Sequence, residues 1–420
     1  MSMLADLLST VFERRMRISG PAGKDARTTP ALAEALVGTD GEMSGQKIGR
    51  LILDRFAQAD TAARRAFFDY LARDMDFDPA AVRRTLQEYE TEPSRESYQR
   101  FATATEPRRQ ELIRRLNRVP DATGQLVAMR AALLDLVPSD PGLAALDHDF
   151  QHLFASWFNR GFLVLRPISW QSPAHILDKI IAYEAVHAID SWDDLRRRLE
   201  PTDRRCFAFF HPAMPDEPLI FVEVALTKGI PQSIQALLSD SRDVIQAEDA
   251  DTAVFYSISN CQAGLSNISF GNSLIKQVAT DLALELPGLR KYVTLSPVPG
   301  FVRWLATKGV TEAPEDRARL LALAAHYLLD AKRGTGAPLD PVARFHLGNG
   351  AMIHHLHADA DISAKGMAQS FGVMVNYLYD LSKVSQNHDR FATTGKISAA
   401  AEIRSRAVLG RRLVREQANR

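Results

Sequence analysis

Residues 254–305 constrain the fold of this 420-residue chain more than any other segment. An apolar run typical of a strand, Val254–Ser259, leads into a loop of small residues, and an amphipathic helix follows, opening near Phe270 and Gly271. A second apolar run, Tyr292–Leu295, ends in Ser-Pro-Val-Pro-Gly. A strand, a small-residue loop and a helix N-terminus in this order present backbone N–H groups to an anion. The segment therefore predicts a phosphate-binding loop.

Residues 1–160 are predicted to be helical almost throughout. Apolar residues recur there at helical spacing, and Asp-Pro and Ser-Asp-Pro sequences mark several helix boundaries. No convincing strand precedes Phe162, so this part of the chain is predicted to form a helical bundle. The predicted helices are Gln46–Ala59, Thr61–Arg73, Pro79–Glu88, Glu106–Asn117 and Gln125–Leu136.

The pattern changes at Phe162–Leu165, the first predicted strand. Strands mixed with helices follow, which indicates a sheet covered by helices, and helices are again predicted after Pro314. The fold class is therefore α+β, with a helical domain at residues 1–160 and a domain containing the sheet at residues 161–420. The further predicted strands are Cys206–Phe210, Pro218–Ala225 and Ala253–Ser259. The further predicted helices begin at Ser172-Pro173 and Ser191 or span Pro314–Lys332, Pro341–His357, Ser363–Ser382 and Ser398–Glu416.

The composition argues against several classes of protein. Basic and acidic residues number 51 each, which does not suit a nucleic-acid binder that depends on a strong positive field. The sequence has no run of about 18 apolar residues, so we predict no membrane-spanning helix. The N-terminal stretch is amphipathic like a transit peptide, but Asp6 and Glu13 argue against that function. With only Cys206 and Cys261 as cysteines, we predict a cytoplasmic protein.

The loop at residues 262–272 matches no common nucleotide-binding motif. It lacks the glycine spacing of the dinucleotide fingerprint and the Lys-Ser/Thr pair of a Walker loop, so neither NAD nor ATP is indicated. An ordinary surface loop fits the spacing equally well. If the loop binds a pyrophosphate, free N–H groups and the positive end of the helix would stabilise the anion.

Short blocks of sequence, scattered through the second half of the chain, carry a family resemblance. They are Glu223–Leu226, Phe255–Ser259, Gly264-Leu265, Gly271, Leu274–Lys276, Leu295–Phe301, Trp304-Leu305, Pro341–Ala351 and Gly372–Tyr379. In this order they resemble the catalytic domain of the malonyl-CoA decarboxylase family. The resemblance implies an acetyltransferase-type (GNAT) catalytic domain that follows a helical domain, with a loop that holds the pyrophosphate of coenzyme A.

The resemblance assigns coenzyme A binding to one continuous loop. Some members of the family carry a glutamate where this chain has Ser269 and a glycine-containing loop where it has Asn267, so no catalytic role of an acidic side chain is transferred to position 269. Backbone groups make the phosphate contacts, and the binding prediction therefore stands. The loop residues concerned are Gly264, Ser266, Asn267, Ile268, Ser269, Phe270, Gly271 and Asn272.

The implied reaction is the decarboxylation of malonyl-CoA to acetyl-CoA and carbon dioxide. Loss of carbon dioxide leaves a thioester enolate, so catalysis requires donors directed at the thioester oxygen and an acid for the α-carbon. No metal or prosthetic group is required, because the thioester carbonyl is the electron sink. By the resemblance, Ser296 contacts the malonyl carboxylate, with proton acceptor as its family role. His346, whose ordinary pKa lies near neutral pH, protonates the enolate carbon. Ser257 and Tyr379 join the supporting hydrogen-bond network.

Each of these residues also fits an ordinary structural role. Ser296 precedes a proline and would commonly end a strand or begin a turn. His346 lies between two apolar residues, as a buried or capping histidine does. Ser257 would be an ordinary strand serine and Tyr379 a core aromatic residue. Only the combined pattern favours an active site.

A histidine-rich segment suggests a metal site as an alternative. His355-x-His357-x-Asp359 copies the start of the metallo-β-lactamase zinc motif, but Ala360 stands where that motif has a histidine. Because the segment continues a predicted helix, we expect structural, solvent-facing histidines here and no bound metal. Stoichiometric zinc would instead indicate a hydrolase.

Cys261 lies beside the loop at residues 262–272. It has no basic neighbour in sequence, which favours a buried structural thiol.

Two other functions agree with the same features. A coenzyme A-dependent acyltransferase would use the same phosphate loop and an amine acceptor, and a non-catalytic acyl-CoA sensor would use the helical domain as a scaffold. The presence of both Ser296 and His346 argues against the sensor. The resemblance also implies a homo-oligomer, a dimer or tetramer, assembled through the helical domain. Candidates for binding the 3′-phosphate of coenzyme A are Lys276, Arg290 and Lys291.

Overall fold

A computed structural model describes residues 25–39, 41–268 and 274–418. The chain divides into two compact units, one of Met1–Met129 with Asp135–Asp149 and one of Arg130–Leu134 with Phe150–Arg420. Among the described residues, no helix is both long and apolar enough to cross a membrane. The assignment of residues 1–160 to oligomerisation stays a prediction.

Several helices before residue 160 begin at residues whose side chains accept hydrogen bonds from free backbone N–H groups. The Asp60 carboxylate accepts a hydrogen bond from the Ala63 N–H, and Ser94 and Ser97 form a reciprocal capping box. Asp78 caps a helix whose first residue is Pro79. The helices are α1 (Thr29–Gly38), α2 (Glu42–Gln58), α3 (Thr61–Arg73), α4 (Pro79–Thr91), α5 (Arg95–Thr105), α6 (Arg108–Asn117), α7 (Ala122–Leu136) and α8 (Ala144–Trp157).

The second unit contains an eight-stranded mixed sheet with the order β1-β2-β3-β4-β5-β8-β6, in which β7 also pairs with β8. Only β4 and β5 run parallel among the described strand pairs. The strands are β1 (Val164–Ile168), β2 (Arg204–His211), β3 (Met214–Thr227), β4 (Thr252–Asn260), β5 (Lys291–Thr294), β6 (Ser296–Pro297), β7 (Met352–His357) and β8 (Met374–Leu378).

Helices accompany the sheet and enclose two apolar clusters. Ile176, Ile180 and Leu195 pack with strand residues such as Phe221 in one cluster, and Val254 and Leu295 belong to the other. The helices are α9 (Ala174–Tyr183), α10 (Trp192–Leu199), α11 (Ile234–Leu238), α12 (Leu274–Glu285), α13 (Phe301–Ala306), α14 (Arg317–Asp330), α15 (Pro341–Gly348), α16 (Ala364–Ser370), α17 (Val384–Thr394) and α18 (Ala401–Ala418). The α+β class predicted from the sequence is confirmed, and the mixed sheet lies in the part of the chain for which the acetyltransferase-type domain is predicted.

The helix predicted over Pro341–His357 is wrong in its second half. Helix α15 ends before Gly350, which has φ 82° and whose added Cβ would lie 2.1 Å from the Val384 carbonyl oxygen. This left-handed conformation stops the helix, and the chain then forms β7. A register shift between Ile353 and His355 leaves Ile353 and Leu356 buried three residues apart, which imitates helical spacing.

The helix predicted over Ser363–Ser382 is also interrupted. Helix α16 ends at Ser370, Phe371 and Gly372 follow with left-handed φ values of 50° and 78°, and the chain continues as β8. The first four residues of β8 are all buried. A strand buried on both faces has no alternation, so sequence periodicity does not distinguish it from a buried helix.

Six of the described helices were not predicted, namely α1, α5, α8, α11, α13 and α17. The helix expected from Glu106 begins after Pro107, because α5 ends at Thr105. Within α5, Ser97 is the only fully buried residue, so the segment gave no apolar stripe to detect.

Candidate active site

Ser296 is the first residue of β6, directly after the break at Leu295 that separates β6 from β5. It pairs with Val375 of β8, and only 6% of its surface is exposed. Its Oγ donates a hydrogen bond to Thr294 Oγ1 at 2.8 Å and lies 3.2 Å from Nε2 of His346. The structure therefore brings together the serine and histidine that the sequence separates by 50 residues.

His346 projects from the last turn of α15 and is 3% exposed. Its Nδ1 lies 2.8 Å from the hydroxyl of Tyr379, and its ring stacks on that of Tyr377 with the centroids 4.5 Å apart. Both ring nitrogens thus have hydrogen-bond partners. The result is a buried chain of polar groups, Thr294–Ser296–His346–Tyr379, which we call the buried polar chain.

Burial determines which groups of the buried polar chain carry a proton. It lowers the pKa of His346 to about 3, because the charged imidazolium loses its hydration. For the same reason it raises the pKa of Tyr379 well above its ordinary value. At neutral pH His346 is therefore a neutral imidazole beside a protonated phenol. The near-neutral pKa expected from sequence does not apply in the substrate-free site.

Three residues that sequence reasoning missed hold this chain from β5 and β8. Thr294 is fully buried, and its Oγ1 also accepts the backbone N–H of Tyr377 at 3.1 Å. Its carbonyl oxygen accepts the Asn376 side-chain amide at 2.7 Å. The signal was present in part, because Asn376 and Tyr377 lie inside a block of the family resemblance and Thr294 lies two residues from Ser296.

The Asp340 carboxylate joins the segment that carries Ser296 to the helix that carries His346. It caps α15 by accepting the Ala343 N–H at 2.8 Å, and it accepts the Tyr327 hydroxyl at 3.3 Å. The backbone N–H of Gly300, which follows Ser296 by four residues, lies close enough to this carboxylate to lower its pKa. Burial raises the pKa of Asp340, and these hydrogen bonds oppose that change.

The structure does not bring Ser257 into the buried polar chain. The Ser257 hydroxyl donates to Glu184 Oε2 at 2.7 Å, and Glu184 lies near Glu223, which pairs with Arg198. Phe255, two residues earlier, packs against Tyr379. In a regular strand, residues two apart point to the same face of the sheet, so Ser257 and Phe255 would share their neighbours. A bulge at Tyr256 breaks this alternation, and the two side chains therefore contact different residues. A catalytic role for Ser257 stays a prediction.

Part of the predicted coenzyme A loop can be described. The N–H groups of Ser266 and Ile268 donate to backbone carbonyls within the loop, and Asn267 has a left-handed φ of 62°. The Arg130 guanidinium donates to the carbonyls of Gly264 and Ser266 at 2.7 and 2.9 Å. Arg130 brings a buried positive charge against this loop, and no local sequence pattern indicated it. Four predicted residues, Ser269, Phe270, Gly271 and Asn272, lie outside the described residues.

The other candidates have structural partners. Lys276 donates to the Ser385 hydroxyl at 3.2 Å, and burial raises the pKa of both the Cys206 and the Cys261 thiol. His357 Nε2 lies 2.5 Å from Asn376 Oδ1, on a strand and not on the predicted helix. In the described ranges, no group of three or more histidine, cysteine, aspartate or glutamate side chains is arranged to hold a metal ion.

Comparison with known proteins identifies the family. The family described as "Malonyl-CoA decarboxylase C-terminal domain" matches residues 161–319 and 307–419, and the one described as "Malonyl-CoA decarboxylase N-terminal domain" matches residues 76–158. A relative from Anser anser anser named "Malonyl-CoA decarboxylase, mitochondrial" is 34% identical over 350 residues, which cover 71% of this chain and 69% of the relative. The protein of the same name from Rattus norvegicus is 32% identical over 357 residues, covering 73% and 72%.

Solved structures agree with this assignment. Crystal structures of malonyl-CoA decarboxylase from Rhodopseudomonas palustris and from Agrobacterium vitis are each 48% identical to this chain and cover 90% of it. They are themselves covered over 98% and 99% of their length, with TM-scores of 0.85 and 0.84. The chain belongs to the malonyl-CoA decarboxylase family, a family of carboxy-lyases.

Proposed function

We propose that this protein converts malonyl-CoA to acetyl-CoA and carbon dioxide, that Ser296 contacts the malonyl carboxylate, and that His346 protonates the α-carbon. The observation that best supports the residue roles is the buried contact of 3.2 Å between Ser296 Oγ and His346 Nε2. A hydroxyl donor beside a proton-bearing imidazole is what the reaction requires, because the carboxylate must be oriented and the enolate must receive one proton.

The burial of His346 determines its protonation state at each step of this reaction. Its pKa of about 3 leaves the imidazole neutral before substrate arrives. A malonyl carboxylate held by Ser296 would lie within a few ångströms of the ring, and its negative charge would raise the pKa of His346. When the C–C bond breaks, the electron pair moves into the thioester enolate and the carboxylate leaves as neutral carbon dioxide. His346, which takes up a proton from solvent once the bound carboxylate has raised its pKa, then transfers its Nε2 proton to the α-carbon. This step completes acetyl-CoA and returns the ring to its neutral form.

Coenzyme A binding is assigned to the loop at residues 264–272. Pyrophosphate oxygens there would meet backbone N–H groups near the start of α12, in the field of the helix N-terminus. The buried guanidinium of Arg130 supports this role because it fixes the carbonyls of Gly264 and Ser266 by hydrogen bonds and adds positive charge. The chain therefore supplies one region for the nucleotide end of the substrate and another for the malonyl end.

Turnover with malonyl-CoA as the only substrate tests this proposal. We expect acetyl-CoA and carbon dioxide to form in equal amounts without an acceptor. Ser296→Ala and His346→Ala should each lower kcat by roughly 10²–10⁴-fold, the range for removing a group that handles a proton. His355→Ala, on the partly exposed face of β7, is the matched control and should keep normal turnover.

The other outcomes separate the remaining functions. Binding of malonyl-CoA without turnover would favour an acyl-CoA sensor or an acyltransferase, and an added amine acceptor would distinguish these two. Near-normal turnover by either alanine variant would remove that residue from the mechanism. Absence of both binding and turnover would contradict the proposed activity.

We also infer that the protein acts in the cytoplasm. The two cysteines are buried free thiols, which suits a reducing compartment. The two relatives above are named as mitochondrial proteins, so the location needs its own test. Cell fractionation combined with sequencing of the mature N-terminus provides it. Cleavage downstream of Glu13 would contradict the inference.

A further inference from the structure

We propose that Thr294 is a positioning residue that determines which ring nitrogen of His346 carries the proton in the substrate-free enzyme. Its hydroxyl accepts the proton of Ser296, and this arrangement leaves the proton of His346 on Nε2. The link to catalysis rests on the proposed function, whereas the position of the proton is a property of the protein alone.

The contacts of Thr294 indicate the direction in which the Ser296 hydroxyl donates its proton. A hydroxyl oxygen has two lone pairs, and Thr294 Oγ1 accepts from Ser296 Oγ at 2.8 Å and from the Tyr377 N–H at 3.1 Å. Both lone pairs are therefore occupied. The distance from Ser296 Oγ to Thr294 Oγ1 is also shorter than the 3.2 Å from Ser296 Oγ to His346 Nε2. The Ser296 hydroxyl accordingly donates to Thr294 and not to the imidazole.

The direction of the Ser296 proton then determines which ring nitrogen of His346 is protonated, because only one proton can lie between Ser296 Oγ and His346 Nε2. If the Ser296 proton lies toward Thr294, the contact with His346 is a hydrogen bond only when Nε2–H donates to Ser296 Oγ. Nδ1 is then unprotonated and accepts the hydroxyl proton of Tyr379 at 2.8 Å. The opposite tautomer would require Ser296 to donate to Nε2 and Nδ1–H to donate to Tyr379. Thr294 makes the first arrangement the stable one.

Thr294 is itself held firmly enough for this role. It is fully buried, and both its side chain and its carbonyl are bonded to adjacent residues of β8, Tyr377 and Asn376. The Tyr377 N–H donates to this hydroxyl at the end of β5, just before the break that separates β5 from β6. A fixed acceptor costs no reorganisation when the substrate arrives, which is the advantage of a preorganised site.

The position of the His346 proton matters for the reaction, because it decides whether the ring presents a hydrogen or a lone pair to the substrate. Nε2 is the ring nitrogen that faces Ser296, the residue proposed to contact the malonyl group. Only the tautomer with a proton on Nε2 presents a hydrogen toward the developing enolate. An imidazole with its proton on Nδ1 would present a lone pair to the substrate instead, and the carboxylate would be repelled.

Nitrogen-15 NMR of the histidine-labelled, substrate-free enzyme tests the tautomer directly, with the His346 signals assigned by their loss in His346→Gln. We expect a protonated-type shift at Nε2 and an unprotonated-type shift at Nδ1 in the wild-type protein. A wild-type ring with its proton on Nδ1 would overturn the proposal, whatever the variants show.

Two substitutions at position 294 separate positioning from packing. Thr294→Val keeps the shape but removes the acceptor, so the Ser296 proton should turn to Nε2 and the His346 proton should move to Nδ1. We expect kcat to fall by roughly 10²-fold with KM within about threefold of the wild-type value. Thr294→Ser restores the hydroxyl and should restore both the tautomer and most of kcat.

A double-mutant cycle shows whether Thr294 acts through Ser296. In a Ser296→Ala background the proton to be directed is absent, so adding Thr294→Val should change neither the tautomer nor the residual rate. A Thr294→Val enzyme that loses activity but keeps its proton on Nε2 would show a purely structural role and would overturn the proposal. Failure of the proposed function is recognised separately, because wild-type enzyme would then show the predicted tautomer without decarboxylating malonyl-CoA.

Discussion

At position 346 the sequence supplies a side chain whose ordinary pKa is 6.5, and folding places it where that pKa falls to about 3. Desolvation is the cause, since the flanking groups are the neutral rings of Tyr377 and Tyr379 and the hydroxyl of Ser296. The residue type therefore suits proton transfer, but its protonation state in each step depends on what occupies the site. A carboxylate from the substrate would restore part of the lost affinity for a proton.

This burial predicts acid sensitivity of the fold. The pKa of His346 is lower in the folded state than in the unfolded chain, so the unfolded chain binds more protons between about pH 3 and pH 6.5. The contribution to stability is therefore present above pH 6.5 and is lost as the pH falls toward 3. Between pH 7 and pH 5 the free energy of unfolding should drop by about 2 kcal/mol from this group alone.

Urea titrations of the wild-type protein and of His346→Gln at several pH values measure this contribution. The difference in unfolding free energy between the two proteins should shrink as the pH is lowered from 7 to 5. His187→Gln is a second comparison, because burial lowers the pKa of His187 to about 4 and the sign is the same. A difference that stays constant with pH would show that His346 is not desolvated in the folded protein.

At the scale of elements, the alignment of two chain segments decides whether Ser296 meets His346. Gly300 ends the Ser-Pro-Val-Pro-Gly turn with φ −98°, which any residue can adopt, so its backbone angle does not require glycine. The requirement is space, because a Cβ at this position would lie 2.3 Å from the Tyr327 hydroxyl. That hydroxyl donates to Asp340, which caps the helix carrying His346. Close approach at Gly300 thus maintains the spacing of the site.

Gly300→Ala should therefore disturb both stability and turnover. We expect a loss of about 1–3 kcal/mol from overpacking and a lower kcat, as the Tyr327 hydroxyl and the Asp340 carboxylate are displaced. Tyr327→Phe removes the atom nearest to the new methyl group, and the double variant should lose less stability than the sum of the single losses. Additive losses, measured by urea unfolding, would show that the two residues do not compete for the same space.

At the scale of the whole molecule, the chain forms two compact units of different character, one helical and one built on the mixed sheet. The second unit contains the buried polar chain, the Asp340 contacts and the described part of the predicted coenzyme A loop. No comparable cluster of the predicted site residues lies in the first. Assembly, which the family resemblance implies for the helical region, stays a prediction.

Light scattering coupled to size-exclusion chromatography tests that role. We expect a mass of two or four times the 46.6 kDa of one chain, as the family resemblance implies. Dilution over a hundredfold range distinguishes a stable oligomer from weak association. A mass of one chain at every concentration would contradict the prediction and leave the helical region without an assigned role.

Much of the fold was predictable from local pattern, because helices with capping residues and strands with apolar runs carry their signal in neighbouring residues. Thr61–Arg73 was predicted to the residue, and β2, β3 and β4 were each located within a few residues. The strands β7 and β8 were not, since a register shift and complete burial remove the alternation that identifies a strand. The carboxy-lyase function predicted from the combined sequence blocks is confirmed by the family comparisons.

The sequence by itself determined which chemical groups were available, namely a serine, a histidine and a tyrosine in recognisable blocks. Only the tertiary structure decided that Ser296, His346 and Tyr379 form one hydrogen-bonded chain while Ser257 bonds to Glu184. The physical reason is that packing decides three things. It decides which distant residues come into contact, to which face of the sheet a side chain points after a bulge, and how far a ring is desolvated. None of these three quantities is encoded in a local pattern, and each of them sets the chemistry of this site.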